Sequence, residues 1–307
     1  KSLSKRIKRV IKLLSRFLNL MAMYTPVMVA LPFVAIAQYD DLVDTDNCAD
    51  FWWWKWLRSA TRSAGPCTIK LCQWIATRPD LFPFTLCRHL QELQIEATPP
   101  TGAEWYDAEN AIKKAVGPEW KKLYDIDCKN SVLGSGCIAQ VVKGTVRSTQ
   151  QPIAVKIIHK QVAETIAMDI DIMKYLSSWL EVIPGISNLS ITESVHEFST
   201  LMTSQLDLRR EARALKKFRR NFFCGTGEKQ NHSNRVQITF PKPLPGLAFE
   251  NVLFETFEPG EVISQYLEGN KKPHFPVDNI DNNKMKKDFQ NDKNDIHGDD
   301  ATRYALA

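Results

Sequence analysis

Positions 17–39 carry no charged side chain and are rich in Met, Val, Leu and Ile; they follow a start crowded with lysine and arginine. An apolar run of 23 positions is long enough to cross a bilayer as a helix. Pro26 and Pro32 interrupt it. Each removes a helix hydrogen bond, although spanning helices tolerate proline better than exposed ones do. Two readings stay open, a transmembrane helix or a kinked helix buried against the folded body. The cluster Phe51-Trp52-Trp53-Trp54-Lys55-Trp56 comes next, and its indoles suit either the lipid headgroup level or the core side of a helix beginning there.

Helical periodicity continues through Ile69, Leu71, Trp74 and Ile75, opened by Gly65-Pro66 and closed by Arg78-Pro79-Asp80. A further helix is predicted over 83–97, and Pro99-Pro100-Thr101 separates it from another near 103–116. After Gly117 the pattern changes. Residues 138–147 and 151–158 are β-rich runs joined by Ser148-Thr149-Gln150, which predicts an antiparallel hairpin. Helical patterns occupy 162–180 and 192–223, and 236–240 and 252–257 read as strands. A strand pair, then helices, then a strand pair is an α+β layout. Beyond Gly269 the polar composition predicts a disordered tail. Four parts result: a basic and apolar segment (1–44), a helical extension (45–116), a strand-containing lobe (117–268) and the tail (269–307).

Composition adds little to this picture, but charge and cysteine placement add more. With 44% hydrophobic and 24% charged residues, the 307-residue chain is of the folded class. The net charge of +5 is unevenly placed, because Lys1, Lys5, Arg6, Lys8, Arg9, Lys12 and Arg16 all precede the first acid, Asp40. A basic end beside an apolar run points to membrane lipid as a partner and away from nucleic acid. Seven cysteines, with no C-x-x-C pair, indicate neither a disulfide framework nor a zinc site and suit a reducing compartment. A first residue of Lys instead of Met suggests a preceding segment, such as a targeting peptide.

The chemistry concentrates in 133–156. Leu133-Gly134-Ser135-Gly136-Cys137-Ile138-Ala139-Gln140-Val141 fits the phosphate-covering loop G-x-G-x-x-G-x-V, with Ala139 in the third glycine place. Glycine there lets backbone amides approach phosphate oxygens. On the next strand Ile153-Ala154-Val155-Lys156 matches V-A-I-K, whose lysine holds the α and β phosphates of ATP. An ordinary hairpin with a solvated lysine is the alternative. Such a lysine needs a carboxylate, and Glu164, Asp169, Asp171 and Glu211 are all candidates that spacing does not separate.

Two further runs carry a resemblance. Gly65 to Gln73, containing Lys70-Leu71-Cys72-Gln73, followed by Thr77-Arg78-Pro79-Asp80-Leu81-Phe82-Pro83, resembles the Lys-x-Gly-Gln region of the UbiB (aarF-domain-containing) atypical kinases. Gln205-Leu206-Asp207-Leu208-Arg209-Arg210-Glu211-Ala212 resembles that family's Glu-x-Asp helix. The resemblance covers about 56–260 and implies a protein-kinase-like small lobe, antiparallel strands plus helices, with an added N-terminal helical extension. It implies Lys156 as the ATP lysine and Glu211 as its partner, with Gly134, Ser135, Gly136 and Ala139 over the nucleotide. Lys70 and Gln73 would reach into the pocket toward Asp207. Glu255 and Phe257, in a hinge-like strand (253–260), would lie at the adenine. It further implies ATP and Mg²⁺ as cofactors, a mitochondrial and inner-membrane location, and a role in ubiquinone or lipid metabolism, with ubiquinone precursors or ubiquinone-synthesis proteins as partners. Cys72 in place of the motif glycine and Gln205 in place of the first acid predict a weaker latch between these elements.

Phosphoryl transfer also needs an acceptor-orienting aspartate, an asparagine and a Mg²⁺-binding aspartate from a larger lobe. Asp288-Phe289-Gln290 resembles D-F-G only superficially, within the polar tail, so the catalytic lobe is expected to be missing from this chain.

Overall fold

The computed structural model describes residues 2–40, 52–95, 105–183, 190–224 and 239–260. The polar tail, with Asp288-Phe289-Gln290, lies outside them. Helix α1 (Ser2–Asp40) precedes α2 (Trp52–Ala64), α3 (Pro66–Ala76) and α4 (Phe84–Ile95), and α5 (Trp105–Val116) and the short α6 (Trp120–Leu123) lead into the sheet. Strands β1 (Tyr124–Ile126), β2 (Val132–Ser135), β3 (Ala139–Val146) and β4 (Pro152–Ile158) follow, then α7 (Val162–Leu180), α8 (Ile191–Ser204), α9 (Leu208–Cys224), β5 (Pro243–Ala248) and β6 (Val252–Thr256). The sheet is antiparallel throughout, in the order β1-β3-β4-β6-β5 with β2 added to β3.

Alternation along β4 decides which face of the sheet meets which helices, because successive side chains of a strand point to opposite sides. Ile153, Val155 and Ile157 pack with Val142, Val252 and Phe254 against Ala108 and Ile112 of α5 and against Trp120. Ile158 faces the other way with Leu253, into a cluster containing Ile69 of α3, Ile166 and Ile170 of α7, Met202 of α8, and Leu208 and Ala212 of α9. Lys156, two residues from Ile158, therefore faces the α7–α9 layer. At Gly144 a Cβ would come 2.5 Å from Ile126 Cγ1 and 2.9 Å from Asp125 O. A side chain there would push β1 off the sheet.

The first four helices form a separate cluster around Val27, Trp53, Trp54, Leu57, Leu90 and Leu93. Gly65, at φ 105°, and Pro66 at the first helical position start α3 where the sequence placed its start. One face of α1 is packed: Val27 is fully buried, Trp53 Nε1–H donates to Val27 O at 3.0 Å, and Tyr24 Oη lies 3.2 Å from Thr61 Oγ1. The other face leaves Met21, Met28, Val29, Leu31 and Phe33 exposed. The stretch Arg6–Phe33 is long and apolar enough to cross a membrane, with mean hydropathy 1.3. Of the tryptophans in the 51–56 cluster, Trp53 and Trp54 are core, and Trp52 and Trp56 lie outside it.

Three expectations change. The helix predicted over 192–223 is two helices, because Asp207 Oδ1 accepts the Arg209 backbone N–H at 3.0 Å and so caps a new helix start. The strand placed at 236–240 is instead β5 at Pro243–Ala248; residues 239 and 240 are not strand, and 236–238 lie outside the described residues. Pro243 and Pro245 fit there because β5 is an edge strand, where proline's missing donor is tolerated. The basic cluster is also only partly a free surface. Arg9 pairs with Asp171 at 2.6 Å, Lys12 with Glu164 at 2.7 Å, and Arg16 with Asp169 at 2.7 Å.

Of these pairs only Arg16–Asp169 is buried, and Arg16 Nη2 also donates to Ala64 O, a carbonyl at the α2 C-terminus. Burial raises the Asp169 carboxyl above its ordinary value, and Arg16 opposes that rise. Replacing Arg16 with leucine strands a buried carboxylate. Chemical denaturation is expected to show a loss of about 3–5 kcal/mol, whereas Lys12→Ala, at an exposed pair, is expected to change stability by less than about 1 kcal/mol.

Candidate nucleotide-binding site

Strand β4 and helix α9 bring the two central residues together. Lys156 Nζ donates to Glu211 Oε1 at 2.7 Å and to Oε2 at 2.8 Å. Both side chains are half-buried, at 29% and 38% exposure, so the pair is open to a ligand on one side. Helix α9 is held at this angle by its own N-terminus, because Leu208 N–H donates to Glu250 O at 2.9 Å in the β5–β6 turn. The other three candidate carboxylates are taken by α1, which leaves Glu211 as the partner of the lysine.

The turn between β2 and β3 lies at the end of this pair's strand, where His159 N–H donates to Ile138 O. Gly136 N–H donates to Ala139 O at 2.8 Å, so that amide serves the turn itself. A Cβ at Gly134 would meet nothing within 4 Å. The fold's own packing therefore does not demand glycine at 134, and the open space is what close approach of a ligand requires. Sequence reasoning missed His159, which follows β4. Its Nε2–H donates to Gly136 O at 3.0 Å, Ser135 Oγ lies 3.4 Å away, and its backbone N–H donates to Ile138 O at 2.9 Å. Burial lowers its pKa, with the Gly136 contact opposing, so a neutral ring braces the loop from beneath. The one available signal was its place three residues after Lys156.

Glu255 shares the sheet face of Lys156, since Lys156 lies opposite Leu253 and Ala154 opposite Glu255. Its Oε2 is buried with no hydrogen-bond partner among the described residues. Burial first, and then the negative charge of Glu211, push its carboxyl up to about 7, with Lys156 pulling the other way. Phe257 N–H donates to Pro152 O at 3.3 Å, and Lys143 Nζ sits 4.4 Å from the ring centroid. That backbone donor is thus already engaged within the chain.

The remaining family-motif residues do not converge. Lys70 lies close enough to Cys137 to lower its thiol pKa against the upward push of burial, which places the ammonium beside the loop. Gln73 turns away, its Nε2–H donating to Leu93 O at 2.7 Å and tying α3 to α4. Asp207 binds Arg209 Nε at 2.8 Å, and that bond chiefly holds its carboxyl below the usual range. Gln205 is the exposed C-cap of α8. Among the described residues no three His, Cys, Asp or Glu side chains converge as a metal site.

A six-stranded antiparallel sheet whose central strand aims a lysine at a helical glutamate, next to a glycine-containing turn, defines a protein-kinase-like lobe. The sequence profile described as the ABC1 atypical kinase-like domain matches residues 96–286, and the chain belongs to that family. The match extends past residue 260, where the motif resemblance stopped, and begins after the Lys70–Gln73 region. Similar proteins include a mitochondrial ABC1 family protein of Schizosaccharomyces pombe, 27% identical over 301 residues that cover 89% of this chain and 42% of that protein. A mitochondrial ABC1 family protein of Saccharomyces cerevisiae is 29% identical, covering 84% and 40%. A probable protein kinase UbiB of Serratia proteamaculans is 33% identical, covering 54% and 30%. The chain therefore spans well under half the length of these relatives.

Because folded Glu255 keeps its proton to higher pH than the ordinary 4.5, its contribution to stability is full below about pH 4.5 and is lost as pH rises toward 7. Glu255→Gln is expected to match the wild type near the acid end and to exceed its stability at pH 8 by on the order of 1–3 kcal/mol. Paired denaturation curves across pH 4.5–8 measure the difference.

Proposed function

We propose that this chain is the nucleotide-binding part of an atypical kinase-like protein of the UbiB type, carried by the Lys156–Glu211 ion pair at 2.7 and 2.8 Å. Lys156 would hold the α and β phosphates of ATP, Glu211 orients the lysine, and the 134–139 turn covers the phosphates. The open space at Gly134 and the half-exposed ammonium suit that role. Bound ATP supplies a transferable phosphoryl group. Mg²⁺ would be held by groups outside the described residues, consistent with the greater length of the relatives. The mitochondrial relatives support a mitochondrial location. The exposed apolar face of α1 supports attachment to a membrane there, in our reading the inner one. Ubiquinone or lipid metabolism is the proposed context, with ubiquinone precursors or ubiquinone-synthesis proteins as partners.

A second reading, a non-catalytic lipid- or protein-binding module, is favoured by two observations: Gly136 N–H and Phe257 N–H are both satisfied within the chain. Thermal unfolding with Mg-ATP separates the two. Saturating nucleotide is expected to stabilise the full chain by about 2.7 kcal/mol at one hundred times Kd, and Lys156→Ala to abolish the shift. A flat response in both proteins would establish the second reading.

A further inference from the structure

Helices α1 and α7 do not close against each other along their whole contact. Between them lies a groove of about 820 Å³, within the roughly 300–1,000 Å³ typical of small-molecule sites. On α1 it is lined by Val10, Leu13, Leu14 and Phe17, and on α7 by Ile172, Tyr175, Leu176 and Trp179. Each set follows the i, i+3, i+4, i+7 spacing of one helix face, so two apolar stripes face each other across a trough. Ile172 is buried in its floor, whereas Tyr175 and Trp179 stand 66% and 78% exposed at its rim. The polar part of the lining is Arg6, Arg9 and Asp171, and Arg9 is already paired with Asp171. Two guanidiniums against one carboxylate leave the groove cationic, and Arg6 has no carboxylate partner within the lining.

We propose that this groove holds the acyl chain of an anionic phospholipid or lysophospholipid drawn from the membrane, its phosphate on Arg6 beside Arg9. The proposal rests on the membrane reading of α1 given above. Continuity favours a lipid over a protein helix. Beyond the groove the surface of α1 continues through exposed Leu18, Met21 and Met28, within the stretch long enough to span a bilayer. A lipid tail in the trough would share the phase that covers those residues. The phosphate would meet a guanidinium that offers a bidentate fork, and rim Trp179 and Tyr175 are the residue types that settle at the headgroup level.

The test uses the full chain, a diazirine-bearing lysophosphatidate and its lysophosphatidylcholine counterpart, with adducts mapped by mass spectrometry. Sedimentation with phosphatidylcholine vesicles, with and without phosphatidate, runs in parallel. Lysophosphatidate adducts are expected within 10–17 and 172–179. Arg6→Glu should lower that labelling about five-fold or more and leave lysophosphatidylcholine labelling unchanged. Leu176→Glu should remove the labelling of both lipids while sedimentation stays at the wild-type level. Arg6 and Leu176 are exposed, so unfolding temperatures should not move. Adducts scattered along 18–33 with sedimentation intact would overturn the groove alone, as would equal labelling of Arg6→Glu. Competition by inorganic phosphate as effective as that of unlabelled lysophosphatidate would overturn the acyl part. A wild-type chain that sediments with neither vesicle overturns the membrane reading itself.

Discussion

One guanidinium joins three parts of the chain. Arg16 of α1 binds Asp169 of α7 through two hydrogen bonds, at 2.7 and 2.9 Å, and reaches Ala64 O at the end of α2. The last carbonyls of a helix lack intrahelical partners, and here a positive charge meets one of them, at the end of the helix where the macrodipole welcomes it. A Cβ at Gly65 would lie 3.5 Å from Arg16 Nη2, so the turn from α2 to α3 runs close beside the same group. With its charge matched and both Nε–H and Nη2 donating, Arg16 is stable inside the fold, and the helical extension becomes fixed to the lobe that carries the Lys156–Glu211 pair.

That contact also distributes the carboxylates. Helix α7 follows the lysine strand and offers three acids, but Asp169, Asp171 and Glu164 each meet a basic residue of α1. Glu211, two elements later, is the acid that reaches Lys156. The pairing then sets the electrostatics of its neighbour, because Glu255, on the same sheet face and desolvated, feels the negative charge of Glu211 more than the positive charge of Lys156. A single ammonium balances one carboxylate, and the second keeps its proton to near neutral pH.

The geometry redistributes the motif residues as well. Lys70 stays near the loop, but Gln73 ties α3 to α4 and Asp207 starts α9. Each does a local structural job that its residue type allows: an amide bridges to a free carbonyl, and a short carboxylate caps a helix. His159 fills the place under the loop that none of the motif residues occupies.

Much of this architecture was legible in the sequence. Two β-rich runs joined by a polar turn gave the β3–β4 hairpin, the helical pattern gave α7, and Gly65-Pro66 gave the start of α3, because these signals are local and each residue's own geometry enforces them. The placement of Gly134, Ser135, Gly136 and Lys156 was legible for the same reason: the loop and the lysine lie on adjoining strands. What the chain could not announce was long-range. Which of four carboxylates meets Lys156, whether 243–248 can be strand despite its prolines, and how much of the basic N-terminus is spent on α7 all depend on which surfaces end up adjacent. Charge pairs and edge positions have no period, so only the tertiary structure decided them.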